Sequence, residues 1–329
     1  MPRHHLRTAT AALLTSALLA GCSSVPPQLK APVGLYFTAD DADCDDESFA
    51  AGDGELIGPH FAIEVSCVRF AASPADLRSG DERPLPAPPG YEYAVIEFAS
   101  SPPASPTWDD REPVASLAFE ESETVFDELP GHGDTVVAVV PSEGSVLLTV
   151  ADEGRAQAID LRERTRVDAV DGYYQGVEGS RDTPGYSMRA EGESGGWKGW
   201  YELDGDIVVA RSLWSPGAGW AAEGRAVLTV SVWWTRLDKD IETYFDLDPK
   251  SSMKISSGGQ HYSPEEIGEA DANVADILFS YTYDVPADAV EFAVNFTPRG
   301  KLTITDGNRP LKVTKAPKAN KFTVDFGRE

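Results

Sequence analysis

Short runs in which apolar and polar residues alternate one for one dominate this chain, and they restrict it to an all-β fold. Phe61, Ile63, Val65 and Cys67 interleave with Ala62, Glu64 and Ser66. This period-2 pattern puts one face of a strand in a core and the other near solvent. Comparable runs occupy 91–98, 135–140, 145–150, 207–214, 226–234, 278–284, 290–296, 301–305 and 321–326. Gly, Pro, Asp and Asn punctuate them. No long apolar stripe of helical period exists. The longest helical candidate, 264–277, begins after Ser263 as N-cap with Pro264 at the first position, and predicts one or two turns.

The runs repeat. Pro130 to Thr149 and Pro286 to Thr305 share a strand, a glycine turn (Gly144, Gly300) and a second strand, at a constant offset of 156 residues. Upstream, Gly90 with its following strand matches Gly224 at an offset of 134. Residues 61–70 and 206–214 match as opening strands. The growing offset predicts an insertion in the second copy between about 256 and 280. Roughly seven short strands per copy, spaced by turns, predict a β-sandwich. The order of blocks resembles the Ig-like modules of Gram-positive surface lipoproteins of unassigned function. That resemblance covers most of 55–165 and 196–327. It implies two tandem Ig-like β-sandwich modules, module 1 over 55–167 and module 2 over 197–329, and it implies no catalytic residues. Residues 168–196, rich in Gly and acids, read as a linker. Tyr173, Tyr174 and Tyr186 are too many aromatics for a pure tether, so part of it is expected to dock.

The first residues read as an address. Arg3 and Arg7 precede a run of small and apolar residues from Thr8 to Ala20, too short to span a bilayer of about 30 Å. It ends in Leu19-Ala20-Gly21-Cys22, which resembles the lipobox of bacterial lipoproteins. The resemblance implies a signal peptide over 1–21, a diacylglyceryl group on Cys22 and display on the extracytoplasmic face of the cell membrane. Residues 22–54 then form a lipidated tether and an acidic segment. With Cys22 lipidated, Cys44 and Cys67 remain. In an oxidising compartment they read most simply as a disulfide worth about 3 kcal/mol; two free buried thiols are the alternative.

Composition removes several functions. The chain carries 54 acidic and 28 basic residues, a net charge of −26, and loss of residues 1–21 would take this to −28. Such a surface repels nucleic-acid phosphates. No G-x-S-x-G or H-E-x-x-H pattern occurs. Beyond the leader only His60, His132 and His261 occur, each placed as a solvated turn residue. No catalytic residue and no cofactor is implied. Asp41, Asp43 and Asp45 occupy positions 1, 3 and 5 of an EF-hand-like loop, but Asp46 stands where the turn glycine belongs and Gly52 where the bidentate Glu belongs. The segment therefore reads as a solvated acidic loop, with a non-EF calcium site as the alternative.

Two features bear on binding. Six of seven tryptophans fall in 197–234. Trp197, Trp200, Trp214 and Trp220 read either as fillers and caps of the second sandwich or as a contact surface for a protein or a glycan. Trp233 and Trp234 must face opposite sides of a strand. The C-terminal stretch inverts the global charge: Lys315, Lys318 and Lys321 would lie at the turn of a basic hairpin, either protecting a sheet edge or binding anionic wall polymer or an acidic partner. The sequence thus reads as a non-enzymatic, lipid-anchored binding or interaction protein, with a glycan- or wall-polymer-binding accessory lipoprotein as alternative.

Overall fold

A computed structural model describes residues 30–34, 36–38, 44, 49, 53–72, 85–99, 112–120, 122–183, 185–236, 243–271, 276–304 and 309–327. The fold is all-β. The first part contains β1 (Tyr36–Thr38), β2 (Glu55–Ile57), β3 (Ala62–Ala71), β4 (Tyr91–Ala99), β5 (Val114–Phe119), β6 (Ser122–Val125), β7 (Thr135–Pro141), β8 (Leu147–Asp152), β9 (Arg155–Asp160) and β10 (Thr165–Val167). They form two five-stranded sheets, ordered β1-β7-β4-β3-β2 and β10-β9-β8-β5-β6. Ile63, Val65, Ile96 and Phe98 from one sheet meet Leu117, Leu148, Val150 and Ile159 from the other in one core. These are the inward positions of the alternating runs, so burying them drives the two faces together.

The second part contains α1 (Asp171–Tyr174), β11 (Gly179–Asp182), β12 (Tyr186–Ser194), β13 (Trp197–Ser212), β14 (Trp214–Ser215), β15 (Gly219–Trp220), β16 (Arg225–Arg236), β17 (Thr243–Leu247), α2 (Pro249–Ser252), β18 (Met253–Ser257), β19 (Gln260–Tyr262), β20 (Glu266–Asp271), β21 (Asp276–Pro286), β22 (Glu291–Phe296), β23 (Gly300–Ile304), β24 (Arg309–Lys315) and β25 (Asn320–Asp325). A nine-stranded sheet, ordered β17-β23-β24-β12-β13-β16-β21-β20 with β11 also on β13, faces a four-stranded sheet ordered β19-β18-β22-β25. Tyr281, Tyr283, Phe292 and Phe296 lie at the centre of their shared core. One end of the large sheet curls back on itself: Thr243 Oγ1 donates to the Trp200 carbonyl at 2.5 Å, and Tyr201, Phe245, Leu302 and Leu311 fill the curl.

The two parts trace a common path. In the first, β3-β4-β7 faces β9-β8-β5-β6; in the second, β13-β16-β21 faces β25-β22-β18-β19. The equivalence holds at single hydrogen bonds. Gly90 (φ +82°) and Gly224 (φ +71°) precede equivalent strands. The Gly90 carbonyl accepts from Ser142 N, and the Gly224 carbonyl accepts from Ala287 N. Tyr91 pairs with Pro141, and Arg225 pairs with Pro286. Leu161 N donates to Val146 O, and Phe326 N donates to Val290 O.

This path corrects the repeat by one strand. The counterpart of β7 is β21, not β22, and the counterpart of β8 is β22. Gly144 and Gly300 are not equivalent, because they meet different demands. Gly144 supplies a φ of +85°, whereas Gly300 leaves room for the Asp246 carbonyl, which a Cβ would meet at 2.1 Å. Other expectations also change. The linker expected over 168–196 is instead structured: β11 and β12 pair with β13, so the second part begins before 197. The helix expected in 264–277 is the strand β20, paired with β21; tertiary pairing overrides the capping signal. The C-terminal hairpin is also absent: β24 pairs with β23 and β12, and β25 pairs with β22. Residues 316–319 therefore cross between sheets.

Cys44 and Cys67 form a disulfide with Cα atoms 5.9 Å apart. It fastens one point of the acidic segment to β3. Cys22, Asp41, Asp43, Asp45 and the leader lie outside the described residues.

Candidate functional site

The outer face of the nine-stranded sheet carries exposed side chains in register. Along β13 the inward positions Tyr201, Leu203, Ile207 and Val209 are buried, so alternation turns Trp200, Glu202, Asp204 and Asp206 outward. Opposite them stand Glu191, Arg189 and Ser187 on β12, and Thr235 and Trp233 on β16. Lys315 on β24 extends the row through Glu191. Trp200 is 36% and Trp233 55% exposed.

Ion pairs occupy one end of this face. Arg189 contacts Glu191 at 2.9 Å and Glu202 at 3.0 Å, and Lys315 contacts Glu191 at 3.1 Å. The Arg189 guanidinium lies over the Trp200 ring, 5.3 Å from its centroid. The hydrogen bonds from Lys315 and then Arg189 hold the Glu191 carboxyl below its ordinary range. Toward Trp233 the face opens into a shallow trough of about 600 Å³, lined by Gly185, Tyr186, Ser187, Asp204, Gly205, Asp206, Trp233 and Thr235.

The four tryptophans read either as packing or as a contact surface divide among three places. Only Trp200 of those four lies on the outer face. Trp197 folds over Gly199, where a Cβ would lie 2.3 Å from its ring, and caps the end of the curl. Trp214, 7% exposed, and the half-buried Trp220 are turned into a joint between the two parts, so of the two readings packing holds for them and a contact surface does not. The lysines also separate. Lys315 is in the ion-pair row, Lys318 is exposed in the crossing segment, and Lys321 is exposed on the four-stranded sheet.

The joint is built around a tight hairpin. Glu153 (φ +49°) and Gly154 (φ +74°) connect β8 to β9, the two positive φ values of a type I′ turn. His60 Nδ1 lies 2.9 Å from Asp152 Oδ1, and His60 N donates to Asp152 Oδ2 at 2.9 Å. The side chains are 5% and 3% exposed, so His60 is not the solvated turn residue expected; His132 and His261 are exposed. The Trp214 ring packs edge-on against His60 at 4.9 Å. Trp220 Nε1 donates to the Glu153 carbonyl at 3.0 Å, and Arg155 covers the Trp220 ring.

The segment after β10 completes this lock. Gln157 Nε2 donates to Ile57 O, Gln157 Oε1 accepts from Val170 N, and Tyr174 OH accepts from Ile57 N. His60, Asp152 and Glu153 offer three metal-ligand atoms within 4.8 Å of one another. Both oxygens of Asp152 are engaged by His60, however, and the cluster's evident work is to hold the joint. Trp220→Phe removes one hydrogen bond and keeps the ring; it should cost about 1 kcal/mol in urea unfolding.

A solved structure described as "The crystal structure of the conserved domain protein from Bacillus anthracis" is similar to this chain at 10% identity and a TM-score of 0.23, covering 88% of this chain and 91% of that one. The likeness is too slight to define a shared fold. No family model matches the chain, and no curated protein matches it. Fold and site together describe an all-β protein with a locked joint and, on the outer face of its largest sheet, two exposed tryptophans among polar side chains.

Proposed function

We propose that this is a non-enzymatic, lipid-anchored binding protein on the extracytoplasmic face of the membrane, built from two tandem Ig-like β-sandwich modules. The common seven-strand path, in which three strands of one sheet face four of the other within larger sheets, supports the Ig-like reading. Module 1 ends at β10, residues 168–178 form the joint, and module 2 starts at β11. Leu19-Ala20-Gly21-Cys22 supports attachment through diacylglycerol on Cys22; because β1 already pairs with β7 and Cys44 is bonded to Cys67, the tether is the stretch before β1 and not the whole of 22–54.

The observation that carries a binding role is the outer face of the large sheet. There Trp200 and Trp233 stand exposed among polar side chains, while a packed joint holds the face in one orientation relative to the tether. A protein partner or a wall polymer is the occupant. Cys22→Ser should release the protein from membranes into the medium, and retention on membranes would overturn the anchor. Crosslinking from position 202 on intact cells should capture that occupant. Capture equal to that from position 132, on a loop of module 1, would overturn the face as the contact surface.

A further inference from the structure

We infer that the trough beside Trp233 holds a linear polysaccharide of neutral or amino sugars; this rests on the outer face being the contact surface. A pyranose presents a C–H face and an edge of hydroxyls. An exposed indole stacks on the first, and carboxylates and hydroxyls bond the second. The trough supplies both. Cross-strand register sets Asp206 beside Trp233 and sets Asp204 between Ser187 and Thr235. Gly185 keeps the acid edge open, since a Cβ there would lie 3.1 Å from Asp206 Oδ1.

Charge selects among polymers. Among the described residues, two carboxylates and no basic group line the trough, on a chain of net charge −26. Farther along the face, Arg189 and Lys315 are engaged by Glu191 and Glu202. A phosphate-bearing wall polymer would meet repulsion, whereas hydroxyl donors and ammonium groups meet acceptors. A chain fits better than a single sugar. Trp200 lies on the same face six positions along β13 from Asp206, roughly 20 Å away at about 3.3 Å per residue, so the same chain can reach a second aromatic ring by the part that Arg189 does not cover.

Titration of the full chain carrying Cys22→Ser with chito-oligosaccharide hexamer, its de-N-acetylated form, a β-glucan hexamer and poly(glycerol phosphate) tests this, read by tryptophan fluorescence and calorimetry. At least one sugar hexamer should bind and quench fluorescence. Trp233→Ala and Asp206→Asn should each weaken it at least tenfold, and Trp197→Ala, at the end of the curl, should leave it within twofold. Preference for poly(glycerol phosphate), equal binding by Trp233→Ala, or a dimer abolished by Trp233→Ala would overturn the assignment. So would silence from all three hexamers at millimolar concentration. If silence is accompanied by crosslinked protein from position 202, the contact-surface reading survives and only the sugar falls; if that position captures nothing specific, both fall.

Discussion

Arg211→Met should lower the free energy of unfolding by about 3 kcal/mol, measured as a drop in the urea midpoint at unchanged slope. Arg211 sits on β13 and is 2% exposed. It donates to Val177 O at 2.5 Å, to Gly176 O at 3.1 Å and to Ala289 O, with its guanidinium 4.9 Å from the centroid of Phe326. One fork thereby ties the end of the joint segment to the loop between β21 and β22. Methionine fills much of the volume but strands the carbonyls, each worth about 1–3 kcal/mol where water cannot replace the donor. Relief of a buried cation offsets part of this: desolvation first, and then Arg181, push the Arg211 pKa down. Lysine keeps the charge but lacks the planar fork, so Arg211→Lys should recover less than half of the loss. A change below 1 kcal/mol for Arg211→Met would show that the two segments hold themselves.

Glu178→Gln should leave stability unchanged at pH 4 and raise it at pH 8 by on the order of 3 kcal/mol. Burial pushes the Glu178 carboxyl from the ordinary 4.5 up to about 7, against the lowering effect of its hydrogen bond from Leu213 N. Unfolded, the group titrates near its ordinary value. Between 4.5 and 7 the folded chain therefore binds the extra proton, and stability falls as pH rises through that window. Above it, a charged carboxylate is held against Leu213 beside the joint. Glutamine keeps an acceptor for Leu213 N without the charge. Urea unfolding at the two pH values measures the difference; an equal effect at both would mean that the carboxyl is solvated.

Much of the fold was legible because its cause is local. Alternation in 61–67, 91–98 and 226–234 specifies which side chain points inward whatever the strand's neighbours, and those strands formed. Gly90 and Gly224 were matched correctly because each meets the same demand, a positive φ before a strand. Gly144 and Gly300 look alike in sequence and answer different demands, and the repeat slipped there. Residues 264–277 carry a capping signal and a proline that suit a helix, yet the edge of β21 offered Glu266–Asp271 a ladder of hydrogen bonds. The acids of 168–196 suggested a solvated linker, but Gly192 is where β12 approaches Leu302 and Leu311, a close contact that composition does not announce.

The binding face was less legible than the fold. Trp200, Trp214 and Trp220 are the same residue type within one stretch of chain, and only the path of β13 through the joint separates an exposed ring from one packed on His60. Alternation puts Trp233 and Trp234 on opposite sides of β16, but that Trp233 stands exposed follows only from the assembled sheet. Asp204 and Asp206 were two acids among many until register set them beside Ser187, Thr235 and Trp233. The sequence alone determined the all-β class and the alternation within strands, because these depend on near neighbours; it pointed to Cys44 and Cys67 as a pair but left free thiols open, and the fold brings them into bonding distance. Tertiary structure decided which strands meet, that the two parts lock through His60, Trp214 and Trp220, and which face stays uncovered. Those outcomes depend on contacts between residues far apart in the chain, whose burial is shared and cannot be assigned to any one segment.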